Sequence, residues 1–405
     1  MEQERMSKND TVGIITFYHE NYNFGGLLQA YALPMAIQKY FGLSAEQIDY
    51  ALSIGRGNSA SHSHAKVCRM GNPVYRLGIW FFSRLEHTNL SKRKEAFDQF
   101  IGDIPHSNQT YDVRTISECR DQYGICVCGG DQIWSDCSID SPSYNMEEYK
   151  AYSLQFAGPR TKKIAYAPSM AVLAMTEEYK TIMKKGLAEF HAISVRERSS
   201  IPLLRQITEQ EICVVVDPVL LLPETEWNDL VRENNNNQKY ILCYLLADSI
   251  AQRVAVRKLA RKLHLPIVTF PHILGNVVRK SDLFFGDIRD YASGPREFLG
   301  LIKNAEFVIT DSFHACVFSM IFRTPFAVFE RDKANRKSNM NSRIYDFLEE
   351  YHLEHQLVTE ETLAGMNEIP KVDFSYAHQH WKRRREESLE YLRNALKGSE
   401  NGAEG

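Results

Sequence analysis

Short apolar runs alternate with helix-length amphipathic segments along the first half of the chain. The pattern predicts a helix over 27–41, where only Pro34 interrupts the apolar spacing. The runs that predict buried strands are 11–17, 47–50, 124–128, 163–167, 192–195 and 212–216. Strands separated by helix-length segments are typical of a parallel, doubly wound sheet.

The same alternation begins again after the asparagine run 234–237. A helix is predicted at 225–233, just before this run. The second series predicts strands at 240–246, 266–270 and 307–310, and helices at 249–263, 295–303, 313–322 and 381–396. We therefore expect an α/β protein with two tandem doubly wound Rossmann-like domains that face a cleft. The predicted boundaries are an N-terminal domain at 1–233, a C-terminal domain at 238–375, and a terminal helix with a frayed tail at 376–405.

Composition and charge exclude several classes of protein. The 405 residues are 44% hydrophobic and 24% charged, as in ordinary globular domains. With 48 Lys and Arg against 51 Asp and Glu, the net charge of −3 provides no global basic field for nucleic acid. Charged residues occupy the place of a secretory signal, and no later run reaches the roughly 18 apolar residues of a spanning helix. We expect a cytoplasmic protein with reduced cysteines and no nucleic-acid partner.

The segment 309–315 contains the most informative polar residues. An apolar strand ends there and a helix begins at once, with Ser312 in the N-cap position and free amides that suit an anion. His314 lies on the same first turn, and an imidazole can donate a proton near neutral pH. The alternative is that Asp311 and Ser312 only cap the helix and that His314 is a packing residue.

Two further loops follow predicted strands. In 128–134, paired glycines let the backbone approach a ligand, and Asp131 and Gln132 offer a carboxylate and an amide. The alternative for this segment is a tight turn with an aspartate cap. The loop 21–26 occupies the place of a phosphate-binding turn but lacks the G-x-G-x-x-G spacing, so we expect a loop that contacts a polar ligand.

Basic residues raise three further possibilities. Arg196 ends a predicted strand, and its guanidinium can bind a carboxylate or phosphate through two contacts, unless it forms a surface pair with Glu197. The cationic loop 331–337 is either solvated or a mobile lid over an anion. The segment 66–94 has seven basic residues and one acidic residue among aromatic ones, which suits either an anionic membrane surface or a core helix. Metal-binding motifs such as CxxC or HExxH do not occur, so we expect no metal.

Taken together, these segments resemble the polysaccharide pyruvyl transferase family over most of the chain. The resemblance is carried by 13–33 (GIITFYHENYNFGGLLQAYAL), 48–50 (IDY), 128–134 (CGGDQIW), 163–169 (KIAYAPS), 193–197 (ISVRE), 216–222 (VDPVLLL) and 310–319 (TDSFHACVFS). It implies a GT-B-like fold with the acceptor on the N-terminal domain and phosphoenolpyruvate on the C-terminal domain. It also implies transfer of pyruvate, as a ketal, to two hydroxyls of a polysaccharide or lipid-linked precursor, with phosphate released and no cofactor.

The resemblance also assigns roles to individual residues. His314 matches the catalytic histidine of the family, and Arg196 matches an arginine that holds the donor. The family often has an arginine beside that histidine, where this chain has Ser312 and Phe313, which we assign to donor binding with Arg343 as the replacement cation. Asp131 is a candidate base or acceptor partner. The remaining acceptor-binding candidates are Asn23, Gly25 and Gln132.

Two other functions fit the same pattern. A nucleotide-sugar glycosyltransferase of GT-B type would use the same crevice and the same helix-end phosphate site. A non-catalytic sugar-binding module would explain why Ser312, Phe313 and Ala315 depart from the family pattern around His314. The segment 66–94 would place the protein at the inner face of the membrane if the acceptor is lipid-linked.

Overall fold

The computed structural model describes residues 11–52, 89–139, 144–232, 238–274, 277–331 and 341–397. The strands are β1 Thr11–Ile15, β2 Ser44–Gln47, β3 Ile125–Gly129, β4 Lys162–Tyr166, β5 Ala192–Val195, β6 Ile212–Val214, β7 Ile241–Tyr244, β8 Ile267–Thr269, β9 Ile273–Leu274, β10 Val277–Val278, β11 Ile288–Arg289, β12 Phe307–Thr310 and β13 Phe326–Val328.

The helices surround these strands. They are α1 Phe24–Phe41, α2 at 89–103, α3 Glu148–Tyr152, α4 Glu177–Leu187, α5 Ile201–Leu204, α6 Glu224–Leu230, α7 Ile250–Leu263, α8 Pro295–Lys303, α9 Phe313–Phe322, α10 Ser342–Glu350, α11 Glu360–Gly365 and α12 Ser375–Lys397. Single 3₁₀ turns cover Ile116–Cys119, Cys137–Ile139, Arg198–Ser200, Pro218–Leu220 and Glu354–Gln356.

Two parallel sheets organise the chain. The first domain contains the six-stranded sheet β2-β1-β3-β4-β5-β6, and the second domain contains the five-stranded sheet β11-β8-β7-β12-β13. Neighbouring strands within each sheet run parallel, as in the pairs Ile15–Cys128 and Thr310–Tyr244. A short antiparallel hairpin, β9–β10, lies outside the second sheet. The predicted α/β architecture with two doubly wound sheets is confirmed.

Several predicted elements have different bounds in the structure, and the terminal helix predicted at 381–396 covers Ser375–Lys397. The second strand was predicted at 47–50 but covers Ser44–Gln47, which is the stretch that pairs with β1. The first helix begins at Phe24 rather than at 27, because the Asn23 side chain accepts a 3.0 Å hydrogen bond from the Gly26 amide. Gly25 therefore lies in the first helical turn and not in a loop.

The terminal helix α12 packs on the first domain although it follows the second domain in sequence. The Trp381 indole donates a 2.8 Å hydrogen bond to the Leu220 carbonyl, and the Val216 amide donates a 3.0 Å bond to the Ser388 hydroxyl. Tyr391 donates to the Ala165 carbonyl at 2.8 Å. These bonds brace the chain on either side of residue 217, which is a central residue of the site described below.

An aromatic contact joins the two domains. The ring of Phe24, at the start of α1, stacks on Phe298 of α8 with centroids 4.5 Å apart and planes 3° from parallel. Phe270 and Tyr244 pack against the same ring at 5.1 Å and 5.8 Å. Aromatic pairs of this kind add stability beyond the apolar area that they bury. The first turn of α1 is thereby held against the second domain.

Three simpler observations complete the description. The cysteines within the described ranges, seven in number, are free thiols. No helix in that part of the chain has both the length and the apolar character that crossing a bilayer requires. The same residues contain no group of three or more His, Cys, Asp or Glu placed to hold a metal ion.

Candidate active site

The carboxyl ends of the first sheet and the first turn of α9 face each other across the cleft between the domains. Arg196 follows β5, Asp217 follows β6, and His314 lies on the first turn of α9. All three side chains are buried, and His314 has an exposed fraction of 7%. The cleft of a doubly wound fold is the expected place for a ligand.

Asp217 connects the arginine of one domain to the histidine of the other. Its Oδ2 accepts a 2.7 Å hydrogen bond from Nη1 of Arg196 and lies 3.6 Å from Nε2 of His314. Its Oδ1 accepts a 3.0 Å bond from the Val219 amide, which fixes the carboxylate in place. At this distance the carboxylate is an electrostatic neighbour of the imidazole, and Nε2 of His314 forms no hydrogen bond among the described residues.

Charge, rather than burial, decides the protonation of Asp217. Burial raises the pKa of its carboxyl, but His314 and Arg196 outweigh burial and hold the pKa well below its ordinary range. For Arg196, burial lowers the pKa, and the carboxylates of Asp217 and Glu197 more than compensate and raise it. The pair is consequently ionised, and its members depend on each other.

Arg196 and Glu197 do not form a surface pair, because both side chains are buried. The Oε1 of Glu197 accepts hydrogen bonds from the Ser169 hydroxyl at 2.7 Å and the Met170 amide at 2.9 Å. Nη2 of Arg196 is buried and donates to no group among the residues that the structure describes. A buried guanidinium nitrogen without an acceptor is an available donor for an anionic ligand.

Phe313 lies between two arginines. The guanidinium carbon of Arg196 is 4.5 Å from the centroid of the Phe313 ring, and that of Arg343 is 6.0 Å from it. Burial, then the positive charges of Arg196 and Arg331, lower the pKa of Arg343 to about 9, against the opposing effect of Asp131. The positive charges of these two guanidinium groups meet at one ring, which favours the binding of a negatively charged ligand.

The first turn of α9 lacks the side-chain cap that the sequence predicts. Ser312 occupies the N-cap position, but its hydroxyl accepts no capping hydrogen bond from the described residues. The Asp311 carboxylate instead accepts 2.7 Å bonds from the amides of Leu246 and Ala247, at the end of the neighbouring strand β7. Arg331 donates to the Asp311 carbonyl at 3.2 Å and 3.0 Å, which brings a further cation to the same edge.

Gly25 of α1 packs directly against the His314 ring. A Cβ atom at Gly25 would lie 2.1 Å from Nδ1 and 2.4 Å from Cγ of His314, far inside contact distance. The imidazole therefore fits between Gly25 on one side and Asp217 on the other. Only glycine is compatible with this close approach of helix and ring.

The loop after β3 lies beside these groups. Asp131 has a φ of +45°, and its carbonyl accepts a 2.8 Å bond from the Ser169 amide. Its Oδ1 accepts a 2.8 Å bond from the amide of Gln132, a residue that is partly exposed. A Cβ atom at Gly26 would lie 3.3 Å from Oδ2 of Asp131, so this carboxylate borders the start of α1.

Three of the residues that the sequence singled out, Arg196, Phe313 and Arg343, line one groove. A groove between the domains is lined by Arg196, Asp217, Phe313, Arg343, Phe347 and Tyr351. Asn23 differs from this group because its side chain is exposed and caps α1. Of the segment 66–94, residues 66–88 lie outside the described residues, as do residues 332–337 of the cationic loop.

Asp217 and Glu197 are residues of the candidate site that the sequence motifs contained without revealing. Asp217 stands before a proline at the end of an apolar run, which is a signal for a turn and not for a partner of a distant histidine. Glu197 directly follows Arg196, and this adjacency suggested a solvent-exposed pair. Their roles depend on burial, which brings residues from separate strands into contact.

We expect Asp217→Asn to lower the free energy of unfolding of the protein and to make this free energy less sensitive to acid pH. Because the folded pKa of Asp217 is depressed, its carboxylate stabilises the fold above about pH 4, and this contribution is lost as the pH falls through the lower folded value. The variant should lose about 2 kcal/mol near pH 7. It should also lose less additional stability than the parent between about pH 5 and about pH 3.

Urea unfolding of both proteins at several pH values measures this difference. Asp229→Asn is the matched control, because Asp229 is exposed on α6. If the parent and Asp217→Asn lose the same free energy of unfolding as the pH falls, the pKa of the Asp217 carboxyl is not lowered by His314 and Arg196.

Comparison with known proteins gives one family and one fold. The family model described as polysaccharide pyruvyl transferase matches residues 23–333. No curated protein matches the chain. Among solved structures, UDP-N-acetylglucosamine 2-epimerase from Rickettsia bellii is similar with a TM-score of 0.52, 10% identity and 95% of each chain covered. The UDP-GlcNAc 2-epimerase from Methanocaldococcus jannaschii has a TM-score of 0.44, 11% identity, and coverage of 96% of this chain and 93% of its own. The fold is therefore GT-B-like.

Proposed function

The chain belongs to the polysaccharide pyruvyl transferase family and is a transferase, and from that premise we propose that it moves pyruvate from phosphoenolpyruvate to two hydroxyls of a sugar. The product is a ketal, and phosphate is released. The acceptor belongs to a polysaccharide or to its lipid-linked precursor. Structural neighbours at this level of identity support the fold alone.

The observation that carries the proposal is the chain of contacts from Arg196 through Asp217 to His314. It brings an imidazole and a guanidinium to one carboxylate, with Nη2 of Arg196 available for a ligand oxygen, which supports their roles as proton donor and cation. Phosphoenolpyruvate carries a carboxylate and a phosphate next to the carbon that reacts. A site for it therefore requires an acid and more than one cation, which Arg196, Arg343 and His314 provide.

The reaction can be balanced with these groups. His314 gives a proton to the enol methylene, which becomes a methyl group, and the adjacent carbon becomes electron-deficient. One sugar hydroxyl bonds to that carbon, the bond from carbon to the phosphate oxygen breaks, and the second hydroxyl completes the ketal. The two sugar hydroxyls lose one proton each. One of these protons returns to His314 and replaces the proton that His314 gave to the methyl group, and the other leaves on the phosphate.

The charges suggest how the donor is oriented. We assign the carboxylate of phosphoenolpyruvate to Arg196 and its phosphate to Arg343 and the amides at the start of α9, where Ser312 and Phe313 lie. Arg343 then replaces the arginine that the family often has next to the histidine. Binding of the phosphate group of phosphoenolpyruvate beside Arg343 would raise the pKa of Arg343 from about 9 towards its ordinary value.

The acceptor belongs on the side of the first domain. Asp131, at the end of β3, is the candidate that receives a hydroxyl proton or holds the hydroxyl by a hydrogen bond. Gln132 is partly exposed and Asn23 is exposed at the same edge, so both can contact a sugar. Contact of 66–94 with a membrane surface remains part of the proposal for a lipid-linked acceptor.

Ligand binding and product analysis test the proposal together. Phosphoenolpyruvate should raise the melting temperature, because a ligand that binds only the folded state stabilises it. Phosphate should appear when phosphoenolpyruvate is mixed with a suitable member of a panel of arylated and lipid-linked sugars. Stabilisation by nucleotide sugars alone would favour a glycosyltransferase, and binding without phosphate release from any acceptor would favour a sugar-binding module.

We expect Arg196→Gln to weaken donor binding more than it slows the chemical step. Loss of charge-assisted hydrogen bonds to the carboxylate should raise the KM for phosphoenolpyruvate by about tenfold or more. Steady-state kinetics with a saturating acceptor measure this change. Arg198→Gln is the matched control because Arg198 is exposed two positions away. An unchanged donor KM in Arg196→Gln would remove this arginine from the donor site.

A further inference from the structure

A second cluster of basic side chains lies at the carboxyl edge of the second sheet, and its members do not line the groove that Arg196 borders. It consists of Arg93, His272 and Arg279, with Arg331 nearby. We call these residues the Arg93–Arg279 cluster. Neither the proposed donor site nor the acceptor residues account for them.

The two arginines reach this point from different domains. Arg93 lies on α2 of the first domain, with its guanidinium carbon 4.9 Å from the centroid of the Phe24 ring and 5.3 Å from that of Phe97. Arg279 directly follows β10, and its amide donates a 2.9 Å hydrogen bond to the carbonyl of His272. The hairpin β9–β10 thus brings His272 and Arg279 to the cleft that Arg93 enters from the opposite side.

Both guanidinium groups retain unused donors. Nη1 of Arg93 and Nη1 of Arg279 are buried, and neither forms a hydrogen bond within the described ranges. Arg253, in contrast, donates to Asp282 at 2.8 Å and 2.6 Å and to the carbonyls of Ala247 and Ser249. A structural arginine of this fold is therefore fully engaged, whereas the two arginines of the cluster are not.

Three of the nearby carboxylates are committed to other donors, and a fourth, Asp248, whose negative charge also acts on Arg279, is exposed. Asp282 binds Arg253 and the His272 amide, and Asp311 binds the amides of Leu246 and Ala247. Asp290 accepts bonds from the amides of Ala292 and Ser293 and from the Ser293 hydroxyl. Burial and then the positive charges of Arg279 and Arg93 lower the pKa of His272 to about 4. Even in the presence of these carboxylates, the positive charge dominates at His272.

We propose that the Arg93–Arg279 cluster is a second anion site, which binds a phosphate or diphosphate group. Two guanidinium groups that approach from opposite domains match an anion with several oxygens and more than one negative charge. A single carboxylate would satisfy one of them. His272 supplies a hydrogen-bonding imidazole at the same place.

The position of the cluster relates it to the transfer reaction. Phe24 contacts Arg93, and the next residue, Gly25, contacts the His314 ring. The first turn of α1 therefore contacts both groups of residues. This part of the inference rests on the proposed function: the second site holds a phosphorylated end of the sugar acceptor while Arg196 and His314 hold the donor.

Binding of inorganic pyrophosphate tests the site without any assumption about catalysis. Isothermal titration should show pyrophosphate binding to the parent protein, and Arg93→Gln and Arg279→Gln should each weaken it by about tenfold or more. Arg261→Gln, a control at an exposed position on α7, should bind pyrophosphate as the parent does. Circular dichroism and melting without ligand establish that the variants fold.

A measurement on the parent protein avoids variants altogether. Phenylglyoxal modifies accessible arginines, and peptide mass spectrometry should show that pyrophosphate protects Arg93 and Arg279 but not Arg261. Protection of Arg196 alone, or equal affinity of the parent, Arg93→Gln and Arg279→Gln, would overturn the second site, as would the absence of pyrophosphate binding. A loss of binding in Arg196→Gln alone would place the anion in the donor site.

Two acceptors distinguish the source of the anion. If the site binds, we compare a diphosphate-linked sugar with the same sugar as an aryl glycoside in turnover assays. Arg279→Gln should raise the KM for the diphosphate-linked sugar by about tenfold and leave the KM for the aryl glycoside unchanged. Equal changes for both acceptors would contradict the assignment to the acceptor. Pyrophosphate binding without any turnover would support the site and refute the proposed function.

Discussion

Replacing His314 with alanine is expected to lower turnover by about a hundredfold or more, with the protein still folded. A positioned acid contributes about 10² to 10⁴ in rate, and in this account no other group protonates the enol methylene. The ring is held by Asp217 at 3.6 Å and by contact with Gly25, so its removal eliminates an oriented donor. Phosphate release at saturating donor and acceptor measures the effect.

The comparison needs a histidine outside the site. His355 is exposed after the second sheet, and His355→Ala should retain parental turnover. Equilibrium unfolding should show His314→Ala to be folded at the assay temperature. Near-parental turnover of folded His314→Ala would refute the assignment of this residue as the acid.

Gly25→Ala is expected to reduce turnover nearly as much as the loss of His314 itself. The added Cβ would lie 2.1 Å from Nδ1 of His314, so the ring must leave its place between Gly25 and Asp217. Displacement of a catalytic group by about 1 Å can cost about a hundredfold in rate. The same steady-state assay measures the loss.

A double variant separates this mechanism from general damage to α1. In a His314→Ala background the space of the ring is free, so adding Gly25→Ala should cause little further loss, whereas independent effects would multiply. Gly102→Ala serves as the control, because a Cβ there would have no neighbour within 4 Å. Multiplicative losses would contradict the proposed contact between residue 25 and the imidazole.

Elements with a strong apolar pattern could be predicted from the sequence. The strand Phe307–Thr310 and the helices Pro295–Lys303 and Phe313–Phe322 have the predicted bounds, because each lies between clear polar boundaries and packs in the core. The predicted start of α1 at residue 27 was wrong, because Gly25 and Gly26 suggested a loop. The Asn23 cap and the packing of Phe24 on Phe298 compensate for the low helix propensity of glycine.

The site was predictable only in part. Arg196, Phe313 and His314 follow strand ends, and the topology of a parallel sheet brings such residues to one edge. The pairing of Arg196 with Asp217 could not be predicted, because it depends on the exact positions of neighbouring strands. The Arg93–Arg279 cluster could not be predicted from the sequence, because Arg93 and Arg279 belong to different domains.

The fold explains why these groups work as a unit. Arg196 and Asp217 belong to the first domain, whereas Phe313, His314 and Arg343 belong to the second. The contacts of Phe24 with Phe298 and of Gly25 with His314 hold the two domains in register. A change at either side of the cleft therefore alters the chemistry at the other.

Mass spectrometry of the acceptor after incubation with phosphoenolpyruvate, together with measurement of the released phosphate, tests the central claim most directly. We expect the acceptor to gain one pyruvate ketal for each phosphate released, and both products to be lost in the His314→Ala variant. An acceptor that remains unmodified with phosphoenolpyruvate but gains a sugar from a nucleotide sugar would contradict it.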